Sequence, residues 1–163
     1  LVALTYEGYG PGGVAILVET MTDNRNRTVA EIRHAFSKGG GNLGTDGSVA
    51  YLFSKKGQLL LGSSGVEDSI MDIAIEAGAE DVDSAEDGSV EVITSPEDFQ
   101  EIKELFLQAG FKTIMAEIAM LPHTYTDLSE ENSNKLLILL ELLEDIDDVT
   151  NIYTNGNFMA ESP

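Results

Sequence analysis

Six of the nine lysine and arginine side chains in this sequence lie between Arg25 and Lys56, although the formal net charge of the chain is −20. Residues 1–56 hold 6 basic and 5 acidic side chains, whereas residues 57–163 hold 3 and 24. An approaching phosphate backbone meets attraction only in the first stretch and repulsion from the rest. Arg25, Arg27, Arg33 and Lys38 are therefore the candidate phosphate contacts, and Asn24, Asn26 and Asn42 can add hydrogen bonds to phosphate or sugar. A helix over 26–38 places Arg27, Glu31, His34 and Lys38 within about 60° of one another, opposite Val29, Ile32 and Phe36. Arg25 lies just before that helix, and Arg33 flanks its apolar face. A basic strip beside a glycine-rich loop can track a phosphate backbone through charge and amide donors. The same strip also fits a solvated helix face on which Glu31 pairs at i±4.

Other patterns with chemical potential are weaker. Gly8, Gly10 and Gly13 fit G-x-G-x-x-G, but a dinucleotide site needs a helix directly after the loop. Here the loop runs into Val14-Ala15-Ile16-Leu17-Val18, which reads as a strand, and Pro11 removes an amide donor. The segment GGGNLGTDGS lacks the Lys-Ser/Thr ending of a phosphate loop, though its free amides can accept a phosphate oxygen. An EF-hand reading of Asp83 to Thr94 fails because the twelfth position is Thr94, not glutamate. Glu144, Asp145, Asp147 and Asp148 crowd a helix end, as a solvated acidic edge or a divalent-ion site. The chain has no cysteine, and His34 and His123 have no second histidine at ligand spacing. No cofactor, metal site or catalytic constellation is expected, and an enzyme is not the reading. The apolar run Leu136–Leu140 is far too short to span a bilayer. With no cysteine, no basic leader and no spanning segment, the location expected is cytoplasmic.

The elements that must position the basic strip follow from pattern. Residues 1–9 and 13–21 read as strands joined by a Gly/Pro turn. Asn26 is the expected N-cap of the helix, and Gly39–Gly41 end it. Val49–Phe53 reads as a short strand. From Gly57 a separate unit begins: strand 58–62, helix 66–77, strands 81–84 and 89–94 around an Asp87-Gly88 turn, a helix capped by Ser95 with Pro96 at its first position, and strand 113–121. This β-α-β-β-α-β order is the ferredoxin-like split βαβ. A helix over 129–144 and a strand over 148–154 follow. A helix–strand pair cannot stand alone, so it returns to the first strands. The expectation is an α+β chain: a discontinuous domain, 1–56 with 123–163, carrying 57–122 as an insert. The run LLILLELL (136–143) implies burial on most sides, in a shared core or a partner interface.

The stretches YEGYGPGGVAILVE (6–19) and TDNRNRTVAEIRHAFSKGGGNLGTDGSVAYLF (22–53) resemble the second-domain signature of the YebC family. The tail DLSEENSNKLLILLELLEDIDDVTNIYTN (127–155) is similar to that family's closing helix and strand. The family includes proteins described as transcriptional regulators and the mitochondrial translational activators of cytochrome oxidase. The resemblance implies a three-domain fold with the third domain inserted in the second. It also implies a basic N-terminal helical domain that this sequence lacks, in keeping with its start on Leu1. For function it implies a non-enzymatic regulator of gene expression that binds DNA, or alternatively RNA within the ribosome as a translation factor. Weak self-association is a further partner expectation, and no membrane is. A third reading makes the ferredoxin-like insert a small-molecule sensor, on fold analogy alone.

Overall fold

The computed structural model describes residues 1–62 and 66–159; residues 63–65 and 160–163, which fall in the insert and the tail, lie outside the described set. The chain divides into two compact units, Leu1–Ser54 with Leu121–Pro163, and Lys55–Met120. The architecture is α+β, a discontinuous domain carrying a ferredoxin-like insert.

In the first unit, β1 (Val2–Tyr9) and β2 (Ala15–Thr22) form an antiparallel hairpin, with Tyr6 opposite Val18 and Glu7 opposite Leu17. The turn between them is a 3-10 segment, Pro11–Gly13, so no helix N-terminus faces the G-x-G-x-x-G loop. Gly12 has φ +80°, and a Cβ there would stand 2.6 Å from Leu128 Cδ2, so both backbone and space require glycine. Helix α1 (Arg25–Lys38) follows, then the two-residue β3 (Asn42–Leu43). After the insert come β8 (Thr126–Asp127), α4 (Glu130–Glu144), β9 (Val149–Thr154) and β10 (Gly156–Asn157). The main sheet has the order β3-β1-β2-β9. One face carries both helices: Val14, Ile16 and Val18 pack with Ile32, Phe36, Leu136, Leu139 and Leu143. Strand alternation sends Glu7 and Leu17 to the other face. Val49, fully buried, belongs to the loop that Glu7 holds by hydrogen bonds.

The second unit places β4 (Phe53–Gly62), α2 (Glu67–Ala77), β5 (Asp81–Ser84), β6 (Ser89–Thr94), α3 (Phe99–Gln108) and β7 (Thr113–Pro122) in sequence. Its sheet order, β5-β6-β4-β7, is that of a ferredoxin-like split βαβ. The core is Leu59, Leu61, Val90 and Val92 from the strands against Ile70, Ala74, Ile102 and Phe106 from the helices. At the β5–β6 turn Asp87 accepts bonds from the Ser89 hydroxyl and amide, which hold its carboxyl below the usual range.

Four local expectations are corrected. The cap of α1 is Asn24, whose Oδ1 accepts the Arg27 amide at 3.1 Å; Asn26 is inside the helix. Val49–Phe53 is not a strand: Ala50–Leu52 is a 3-10 turn, and β4 begins at Phe53, five residues before the expected Gln58. Helix α3 begins at Phe99, because Ser95 Oγ accepts the Asp98 amide within a preceding turn. Helix α4 buries Leu136, Leu139 and Leu143 but leaves Leu137 at 50% and Ile138 at 56% exposure. The apolar run therefore presents an outward face as well as an inward one.

Candidate nucleic-acid interface

Helix α1 forms because its apolar residues recur at helical spacing and its first turn is tied down. Thr28, Ile32, Ala35 and Phe36 are buried, which fixes the face turned to the sheet. Arg25, Asn26, Arg27, Arg33, His34 and Lys38 are exposed, as are Asn24 before the helix and Asn42 beyond it. Fourteen residues at 1.5 Å per residue separate the two ends by about 20 Å, so Asn24 and Asn42 do not share a cluster. Around the helix axis the cations form two flanks. Arg33 lies about 140° from Lys38, and Arg27 is about 20° from it.

Arg27 does not project freely. Its Nη2 donates to Asp148 at 2.9 and 3.2 Å and to Asp23 at 3.0 Å. Asp148 also accepts from the hydroxyl of buried Thr28 at 2.8 Å and from buried Thr22 at 3.3 Å. These bonds, the one from Arg27 foremost, hold the Asp148 carboxyl below its ordinary value; the Arg27 guanidinium is held above its own, chiefly by Asp148. The cluster fastens the start of α1 to the end of β2 and the approach to β9, across 121 residues of sequence. It also removes Asp148 from the acidic edge weighed as a cation site. Arg25, Arg33 and Lys38 make no ion pair among the described residues. Near the first of them, Tyr6 has its phenol pushed up by burial, with Arg25 pulling it down and Asp148 adding to the rise. Asp148→Asn is expected to loosen Arg27 and lower the melting temperature. It should also tighten nucleic-acid binding by roughly threefold, the gain of about one phosphate contact, measured by paired melting and anisotropy titrations.

The glycine-rich loop is built around an internal anion. Glu7, 7% exposed, accepts from the amides of Gly47 at 2.7 Å, Val49 at 2.9 Å and Ala50 at 2.7 Å. Burial alone pushes this carboxyl up, but the three amide bonds more than offset it and hold it below its ordinary 4.5. Within GGGNLGTDGS the Glu7 carboxylate takes the Gly47 amide, and the amides of Gly39, Gly40, Gly41, Gly44 and Ser48 donate to backbone carbonyls, so most of the donors the segment offered to a phosphate are spent. A depressed carboxyl contributes stability that is fully present above pH 4.5 and is lost as pH falls through the lowered value. Glu7→Gln is expected to cost about 3 kcal/mol, since a charged acceptor of three amides becomes a neutral one. Its melting temperature should depend less on pH between neutrality and acid than that of the parent, as thermal melts across that range would show.

His123 donates its amide to Leu52 O at 3.0 Å, and its Nε2 stands 2.6 Å from Ser54 Oγ. Among the described residues no carboxylate orients this imidazole, and no group of three or more His, Cys, Asp or Glu could hold a metal ion. None of the described helices is long and apolar enough to cross a membrane. Sequence reasoning passed over Glu7 and Asp148 as site-shaping residues. It also passed over Lys135 on α4, which lines a groove with Lys38.

Residues 1–156 match the family described as the TACO1/YebC second and third domain. The chain belongs to this family. Among its YebC relatives, a "Probable transcriptional regulatory protein" of Hahella chejuensis is 59% identical over 97% of this chain and 64% of its own length. One of the same description from Aeromonas salmonicida is 58% identical over 99% of this chain and 65% of its own. This YebC-family chain thus spans slightly less than two thirds of these curated relatives. A crystal structure of a conserved hypothetical protein from Aquifex aeolicus superimposes with TM-score 0.84 at 40% identity, covering 98% of this chain and 66% of that one.

Proposed function

We propose that this chain is the nucleic-acid-contacting part of a non-enzymatic, cytoplasmic YebC-family regulator of gene expression. Contact runs along the exposed face of α1. The observation that carries this reading is the cation set on α1 in a molecule of net charge −20: Arg25, Arg33 and Lys38 are exposed and unpaired among the described residues. Lys55–Met120, with 4 basic and 15 acidic side chains, repels phosphate. Asn26 and Asn42 add uncharged hydrogen bonds at either end. Asn24 and Arg27, spent on the cap and on Asp148, shape the helix start rather than touch phosphate. The names of the relatives favour transcription as the process regulated, and DNA is the target we take that process to imply. RNA on the ribosome is the alternative, supported by the phosphate chemistry the two polymers share.

The test is titration of the 163-residue chain into labelled duplex DNA and RNA at two salt concentrations. The reading expects weak binding that falls steeply with salt, because each neutralised phosphate releases counterions. No binding at the lower salt to either polymer would remove it.

A further inference from the structure

A groove of about 420 Å³ lies between the end of α1 and the first turns of α4. Its volume falls within the range of sites that hold small molecules. Its charged lining is entirely cationic, Lys38 from one helix and Lys135 from the other. In a chain with 29 acidic residues against 9 basic ones, that pairing selects an anionic occupant. Lys38 has no ion-pair partner among the described residues. Lys135 pairs with Glu131 at 3.0 Å, but both side chains are more than half exposed, so solvent screens the pair and the ammonium is available to a ligand.

The rest of the lining is not that of a bare anion site. Half-exposed Ile138 offers apolar surface, and buried Pro11 closes the groove beneath. Gly40, at φ +82°, would have nothing within 4 Å of an added Cβ, so the backbone is open to close approach. The Asn132 side chain makes no hydrogen bond among the described residues and carries both a donor and an acceptor. The amides beside the groove are already used: those of Gly39 and Gly41 bond back to Ala35 and Phe36 at 2.9 and 2.7 Å. Recognition therefore falls to side chains.

We propose that this groove binds one unpaired nucleotide, its phosphate between Lys38 and Lys135, its base against Ile138, and its base edge at Asn132. The inference rests on the nucleic-acid reading and narrows it to single-stranded or locally opened target, since a base inside a duplex cannot enter a groove of this kind. The nucleotide can come from a strand or be free, because phosphate and base are common to both.

The experiment uses the full 163-residue chain and fluorescence anisotropy with labelled U10, its matching duplex, and competition by free UMP, AMP and inorganic phosphate. U10 should bind more tightly than duplex, and Lys135→Glu and Asn132→Ala should each weaken U10 by roughly fivefold or more while leaving duplex binding and the melting temperature unchanged. Lys112→Glu, a surface control, should change neither. Competition by UMP or AMP assigns the groove to free nucleotide; U10 loss in the variants without such competition assigns it to a strand. Equal affinity for U10 and duplex, with Lys135→Glu silent on both, overturns the groove, whereas the α1 reading stands if Arg25→Glu still weakens both. Absence of binding to any polymer overturns the two together.

Discussion

Phe36→Ala is expected to destabilise the first unit by about 4 kcal/mol, near the upper range for deleting a fully buried aromatic ring. Phe36 is completely buried at the point where α1, the hairpin and α4 meet. The backbone has closed onto its ring: a Cβ added at Gly8 would stand 2.6 Å from Phe36 Cε1, and one at Gly41 3.3 Å from Cδ1. The surrounding glycines have no side chains with which to refill the space, so the cavity persists. A melting temperature of the first unit roughly 20 °C lower follows. The loss is local, because Leu59, Ile70, Val92 and Phe106 form a separate core that Phe36 does not join. Hydrogen exchange should show α1, β1 and β2 opening while the amides of β4, β6 and α3 keep their protection. Uniform loss of protection in both units would show that the two cores melt as one.

Reversing Arg25 and Arg33 together to glutamate is expected to weaken binding to duplex and single-stranded nucleic acid by tenfold or more and to lower the salt slope by about 2, one for each lost phosphate contact. Both side chains are exposed and unpaired among the described residues, so the double variant should keep its melting temperature. Arg27→Glu is a different kind of change. It sets a third carboxylate beside Asp23 and Asp148 and breaks the fastening of α1, so it should lower stability first and binding only as a consequence. A double variant at Arg25 and Arg33 that binds like the parent, with an unchanged salt slope, would remove α1 as the contact surface.

Much of the fold was written in short-range pattern. The apolar spacing in α1 and α4, the Asp87-Gly88 turn and the β-α-β-β-α-β order are all local, and each element exists. What local pattern misses is decided by distant partners. Val49-Ala50-Tyr51-Leu52-Phe53 has strand-like residues, but Glu7, 42 positions earlier than Val49, captures the amides and wraps the segment into a turn. Asn26 reads as the cap from its place before the apolar repeat, but the backbone turns two residues earlier, at Asn24, whose amide donates to Thr22 Oγ1 at 2.9 Å. The candidate site was legible as charge and not as geometry. Counting cations points to α1, but only the fold shows that Asp148 occupies Arg27, and only packing brings Lys135 to Lys38 across nearly a hundred residues.

Amide chemical-shift mapping on the isotopically labelled 163-residue chain shows most directly which residues meet the polymer. On titration with U10 and with duplex DNA at low salt, shifts are expected along residues 25–38, with residues 132–138 moving for U10 alone. The amides of α2 and α3 should stay still. Shifts concentrated in α2, α3 or the β5–β6 turn, with α1 unmoved, would contradict contact along α1.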